Sequence, residues 1–576
     1  MKNRFIKQFM AVVLAVLMIF SVCACAGNSS QTEQNPKNGV RKMVTVEKPV
    51  YVNASVVFPL SVAHYENEPE ILYVEIKSII KECLQDLICA IYPGMSYAVE
   101  ETDKTVKVTR ENGSYCVIDF VKDTIYFSNI DTFAMNGLKV NPYDLLSNAN
   151  LKPDGSSMFF QRDVSLYTPG RAVEYNLAER NITLDINEGK KYIPLQTFND
   201  VFTSIYDINI AYNGQSLFLF TSSVIPAELE PIYYLDQVTQ RTDALAEFNY
   251  NELCLFLDMN YGLKKEHGIN ESFAKYFETI GLKDKLLSND PIEYFNAFGT
   301  FCFGYIADSH SSISSASPYL AEKEPSEGRN IQPAPEVLAK LDCKENFETT
   351  RRNYLGDNID SYQKVGNTAY VTFDEFTLGL RTSYDDMTKM NDVIDIIYNA
   401  HMQITQDSDI ENVVIDLSCN GGGAVDSAVY LISWMLGYCD LAIYNSVTGG
   451  KAITSYQADV NLDGNFDSND TISDKNLYCL VSPLSFSCGN SVPAILKESG
   501  AVTIIGQETG GGACFVSHGI TADGMFFNIS GARVMSVSKN GSFYNIDKGI
   551  TPNVYLSKVD SFYNRTQLTQ YINSLL

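Results

Sequence analysis

The sequence predicts a mixed α/β protein whose chemistry lies at strand ends in its last third. Three observations carry that expectation. From Tyr362 onward, strand-type apolar runs alternate with helical ones, the pattern of an α/β core with active-site loops at the carboxyl ends of strands. Before it, from about Ile232 to Ser317, Leu245, Phe248, Leu253 and Phe256 recur near helical spacing. Earlier still, residues 43–225 gather Val, Ile, Tyr and Phe in short runs, which predicts a β-rich α+β region. The expected units are thus 43–225, a helical subdomain at 226–330 and a catalytic core at 331–576.

The first stretch reads as a processing signal. Lys2, Arg4 and Lys7 precede an apolar run of 13 residues at 10–22, too short for a membrane span, which needs about 20 residues, but suited to a signal peptide. Val22-Cys23-Ala24-Cys25 resembles a bacterial lipoprotein cleavage box. The small Ala24 favours Cys25 as the lipidated residue, leaving 1–24 as signal peptide and 25–42 as a polar tether. The expected location is extracytoplasmic, on the cell membrane through the lipid. No later segment is long and apolar enough to span a membrane.

A net charge of -26 repels phosphate backbones, so nucleic acid is excluded as a partner. Eleven cysteines follow Cys25 without CxxC spacing, against a disulfide framework and against structural zinc, with isolated disulfides left open. Within 43–225 the order strand, short helix, strand, strand occurs twice. It begins at Leu72-Tyr73-Val74-Glu75-Ile76-Lys77 and again at Lys191-Tyr192-Ile193-Pro194-Leu195-Gln196. This is similar to repeated modules of the copper-amine-oxidase N-terminal type. A single β-rich domain without a true repeat is the alternative.

The core elements follow in order. Strands are expected at Ala369-Tyr370-Val371-Thr372-Phe373, Val413-Val414-Ile415-Asp416-Leu417, Tyr478-Cys479-Leu480-Val481 and Val502-Thr503-Ile504-Ile505-Gly506. Helices are expected at 387–404, 424–436 and 491–498. Three junctions carry the chemistry. Asp416-Leu417-Ser418-Cys419-Asn420-Gly421-Gly422-Gly423 runs from a strand through glycines into a helix, where bare backbone N–H groups suit a developing negative charge. Ser485-Phe486-Ser487-Cys488-Gly489-Asn490 places a serine hydroxyl at the next strand–helix turn. Gly506-Gln507-Glu508-Thr509-Gly510-Gly511-Gly512 follows the last strand.

With Gly549-Ile550-Thr551-Pro552-Asn553, these motifs in this order resemble the tail-specific, or C-terminal processing, serine peptidases over about 368–556. The resemblance implies a crotonase/ClpP-like core, protein or peptide substrates, no organic cofactor and Ser487 as nucleophile. The oxyanion would rest on the Cys488 N–H and a glycine of 421–423, with Gly421 and Gly422 foremost. It extends to Ala307-Asp308-Ser309-His310-Ser311, similar to the turn that ends the family's helical subdomain. Many members carry a lysine base 25 residues after the nucleophile; here that position is Gly512. The tricorn-core branch uses a histidine, which corresponds to His310, with His518 as the competing base. Asp547 is the expected third member of the triad, with Asp308 and Glu508 as alternatives. Only 55 positions separate Ser311 from Gly366, little room for the PDZ domain that many members carry there.

One further segment stands apart. Asp459, Asn461, Asp463, Asn465, Asp467 and Asp470, with Gly464 and Phe466 between them, have the spacing of an EF-hand-type or dockerin-like loop, so structural Ca²⁺ is expected there. The functional expectation is a lipid-anchored serine endopeptidase. Two rival readings are a catalytically silent peptide-binding lipoprotein and a hydrolase of non-peptide esters.

Overall fold

The computed structural model describes residues 42–575 except 53–56, 93, 137–138, 147–149, 153–155, 222–223, 235–239, 321–327, 382–387 and 540. The signal peptide, Cys25 and the tether lie outside the described residues.

The fold is mixed α/β, and one six-stranded sheet positions the site. Its strands are β1 (Tyr362–Val365), β2 (Thr368–Thr372), β3 (Asn412–Asp416), β4 (Asn476–Val481), β5 (Val502–Gly506) and, after three strands of another sheet, β8 (Val554–Tyr555). They lie side by side in that order, β1 antiparallel to β2 and the rest parallel. A parallel sheet must be covered on both faces, so its strands read as near-continuous apolar runs. Alternate residues serve the two sides. Val371, Val413, Ile415, Cys479 and Ile504 pack against helices α2 (Val393–Gln406), α3 (Val425–Leu436) and α4 (Cys488–Ser499). Tyr370, Val414, Tyr478, Leu480 and Ile505 pack against the C-terminal helices and Phe347, on helix α1 (Pro335–Leu355).

Two boundaries differ from the sequence expectation. The helix expected from 387 begins at Val393, because Asp392 caps it, accepting the Asp395 N–H at 3.1 Å while both carboxylates hold buried Arg381. The helix expected from 491 begins at Cys488, immediately after Ser487.

A second sheet is built on the long strand β7 (Phe526–Lys539), which pairs with β6 (Cys514–Ile520), with Cys439–Asn445 and with the short strand Ser312–Ser315. Its far edge is Phe160–Thr168, paired with Lys451–Ala458. The 43–225 region therefore supplies an edge strand to the catalytic part rather than standing as a separate block. Its two strand–helix–strand–strand units also share one core, since Lys190–Pro194 pairs antiparallel with Glu68–Glu75. Between Ser311 and Gly366 the chain forms the strand 312–315, the 21-residue helix Pro335–Leu355 and β1.

Candidate active site

Ser487 caps the start of α4 with φ 57° and ψ -122°, a backbone state that a non-glycine residue holds only when its surroundings impose it. The surroundings are identifiable. Ser487 donates its N–H to Gly511 O at 2.9 Å, and its carbonyl accepts the Asn490 and Ser491 N–H groups. Phe486 donates to Asn420 O at 3.0 Å, tying the serine turn to the glycine loop. Buried Asn490 donates to Ile546 O and accepts the Thr509 hydroxyl, and Thr509 in turn accepts the Ile550 N–H. One asparagine thus joins the nucleophile helix to the 506–512 turn and to the segment before Gly549.

His310 comes from another subdomain. The helix Pro291–Thr300 runs on to Ile306 and ends at Ala307 in left-handed conformation. Asp308 then shapes the turn, accepting the His310 N–H at 3.1 Å and the Ser311 hydroxyl at 2.7 Å. The strand 312–315 pairs with β7 and fixes the turn to the catalytic sheets. The imidazole lies against Phe486, ring centroids 4.6 Å apart, beside the residue that precedes the nucleophile. Lys340 reaches the same place, donating to Ser309 Oγ at 2.8 Å with its ammonium 5.9 Å from the Phe486 ring. Burial pushes the His310 pKa below its ordinary range, Asp308 opposing and Lys340 adding to the depression. A ring so placed is neutral, and able to accept a proton, at neutral pH.

The expected oxyanion donors need revision. The Gly421 N–H is bonded to Asp374 O at 3.0 Å and the Gly422 N–H to Asn420 Oδ1 at 2.9 Å, so both are engaged within the loop. Among the described residues the N–H groups of Gly423 and Cys488 have no such partner. The Cys488 thiol donates to Gly423 O at 3.2 Å, is buried, and is pushed up to about 12, which keeps it protonated and draws the two residues together.

Residues 367–556 match the family model described as Peptidase family S41. This segment is a family S41 peptidase domain. A curated Chlamydia pneumoniae protein is 33% identical over 107 residues, 18% of this chain and only 16% of that protein's length. A solved candidate peptidase of Parabacteroides merdae is similar over 57% of this chain and 96% of its own, at 16% identity and TM-score 0.41. Mature CPAF is similar over 58% and 97%, at 11% identity and TM-score 0.37.

In the S41 domain the position of the common lysine is closed. A side chain on Gly512 would overlap the Phe486 ring, and its φ of +82° disfavours any L-residue. Asp547 is not on the imidazole. Its carboxylate accepts the Ala513 N–H at 2.9 Å and its carbonyl the Gly512 N–H, so it holds the glycine turn. Glu508 is exposed and Asp308 serves its own turn. His518 is bonded to Asn528 and lines a cavity of about 120 Å³ whose walls include neither Ser487 nor His310.

The 459–470 loop closes on its own backbone. Asp459 accepts the Asp463 and Gly464 N–H groups, and Asp470 those of Val460, Asn461 and Asp467. Among the described residues no group of three or more His, Cys, Asp or Glu side chains is placed to hold a metal ion. Burial pushes the Asp459 carboxyl up to about 6, the Gly464 N–H opposing and Asp470 and Asp463 adding. A folded pKa raised above the unfolded value of about 3.9 favours folding at low pH, a contribution lost as pH rises through about 6. Asp459→Asn should therefore flatten the dependence of Tm on pH between about 4 and 6, and Ca²⁺ should leave the wild-type Tm unchanged. A rise of several degrees with Ca²⁺ would mean that the loop rearranges around the ion.

Proposed function

We propose that this protein is an extracytoplasmic, lipid-anchored serine endopeptidase that cleaves peptide bonds through an acyl-enzyme on Ser487. The observation that carries the reading is the strained Ser487 at the start of α4, beside unpartnered N–H groups and the His310 turn. Ser487 Oγ attacks the scissile carbonyl carbon and its proton passes to His310 Nε2. The oxyanion rests on the Cys488 and Gly423 N–H groups, aided by the positive end of α4. Collapse breaks the C–N bond, and His310 gives its proton to the leaving amine. Water, deprotonated by His310, then hydrolyses the ester and restores Ser487.

Hydrolysis of an unfolded protein by the purified chain, with product termini read by mass spectrometry, tests the reading against Ser487→Ala. Turnover of esters alone would favour the non-peptide hydrolase, and no turnover the binding lipoprotein. The anchor is supported by the basic n-region, the short apolar run and Ala24-Cys25. A native N-terminal peptide beginning at Cys25 and carrying acyl mass is expected; an unmodified peptide beginning elsewhere would remove the anchor.

A further inference from the structure

A histidine that takes a proton at Nε2 must carry one on Nδ1, and the hydrogen bond made at Nδ1 decides which nitrogen holds it. The charged groups that act on His310 are Asp308 on its own turn and Lys340 on the helix Pro335–Leu355, while Cys514 on β6, Asp547 before β8 and Tyr261 after the helix Asp243–Asn260 interact in turn with Asp308. Among the described residues none of them is hydrogen-bonded to the ring. Asp308, Lys340 and Asp547 are bonded elsewhere, as above, and the buried Tyr261 hydroxyl has no partner.

The contact at Nδ1 is Ser530 Oγ, fully buried on β7 and 3.3 Å away. Ser530 is held firmly. Its carbonyl accepts the Gly262 N–H at 2.8 Å, and it pairs with Val516 of β6. A hydroxyl has one proton to donate and lone pairs to accept with. With its proton turned away from the ring, the Ser530 hydroxyl offers a lone pair to Nδ1–H, and the Nε2 lone pair is left for the Ser487 proton.

We propose that Ser530 is the positioning residue of the general base, a neutral hydroxyl standing where a Ser-His-Asp triad has its carboxylate. The proposal rests on the serine-peptidase reading for its catalytic consequence, though not for its geometry. With no carboxylate on Nδ1, the imidazolium formed during turnover lacks a directly bonded anion, in keeping with the depressed His310 pKa.

Histidine-selective ¹⁵N labelling of the full chain gives five imidazoles, of which His310 is the one lost in His310→Gln. The neutral ring of His310 should be protonated on Nδ1 in the wild type and shift toward the Nε2–H form in Ser530→Ala. Ser530→Ala should also lower kcat about tenfold or more with little change in KM, whereas Ser530→Thr, which keeps the hydroxyl, retains most of the rate. Asp547→Asn should leave the tautomer in place. An Nε2–H ring in the wild type, an Nδ1–H ring that survives Ser530→Ala, or one lost in Asp547→Asn would overturn the proposal. The tautomer is read in the resting protein, so its outcome is separate from whether Ser487 proves nucleophilic.

Discussion

Replacing either Ser487 or His310 by alanine is expected to lower kcat by about 10⁴-fold or more, and the double variant should be little worse than either alone. The two groups act as one unit: the hydroxyl is a weak nucleophile without a base, and the base has nothing to activate without the hydroxyl. The pH profile carries independent information. The base works in its neutral form, so kcat/KM should rise with pH through the His310 pKa and then level. Burial, with Lys340 assisting and Asp308 opposing, lowers that pKa. The limb should therefore lie below the ordinary histidine value of about 6.5, with full activity at neutrality. An intact rate in His310→Ala, or a limb well above neutrality, would assign the base to another group.

Gly422→Ala should be nearly as damaging, although it removes no functional group. A Cβ at Gly422 would stand 2.5 Å from Ser487 Cβ and 3.0 Å from both Ser487 Oγ and Phe486 O, at a φ of +104°. Either the loop or the nucleophile must move, and a misplacement of about 1 Å costs about 100-fold in rate. The expected result is a kcat loss of about 100-fold or more with a Tm fall of only a few degrees. Gly421→Ala is the control: a Cβ there meets nothing within 4 Å, and activity should stay near wild type. Equal rates for the two variants would mean that the glycine loop does not abut Ser487 as placed here.

The S41 core was legible in the sequence because its signals are local. Buried parallel strands are continuous apolar runs, and strand-to-helix junctions announce themselves with Gly and Ser, so β2 to β5 and the Ser487 turn could be placed from spacing alone. His310 was legible only through the motif around it. What remained hidden depends on long-range pairing. Nothing around Ser530 marks it, since a serine within an apolar strand has no pattern of its own, and only the pairing of 312–315 with β7 brings it to the imidazole. Lys340 sits on a largely exposed helix, where a lysine reads as a solvated charge. Apolar alternation predicted strands in 43–225 but could not say that Phe160–Thr168 completes the edge beside Lys451–Ala458. The glycine loop was found, yet which of its N–H groups stay unengaged depends on Asn420 and Asp374, whose carbonyl groups take those of Gly422 and Gly421. Asp547 likewise lies close to the site while its carboxylate is turned to the Ala513 N–H. In the 459–470 loop the spacing of the acidic residues was legible, but their engagement with the loop's own backbone was not.

The central claim is that Ser487 is an activated nucleophile, and covalent labelling with a fluorophosphonate tests it most directly. The purified chain should gain a single phosphonyl group, located by peptide mass mapping on the segment containing Ser485, Ser487 and Ser491 and by fragmentation on Ser487. Labelling should vanish in Ser487→Ala and slow by orders of magnitude in His310→Ala. A chain that stays unlabelled at excess reagent and neutral pH, or one labelled on another residue and still labelled in Ser487→Ala, would contradict the account.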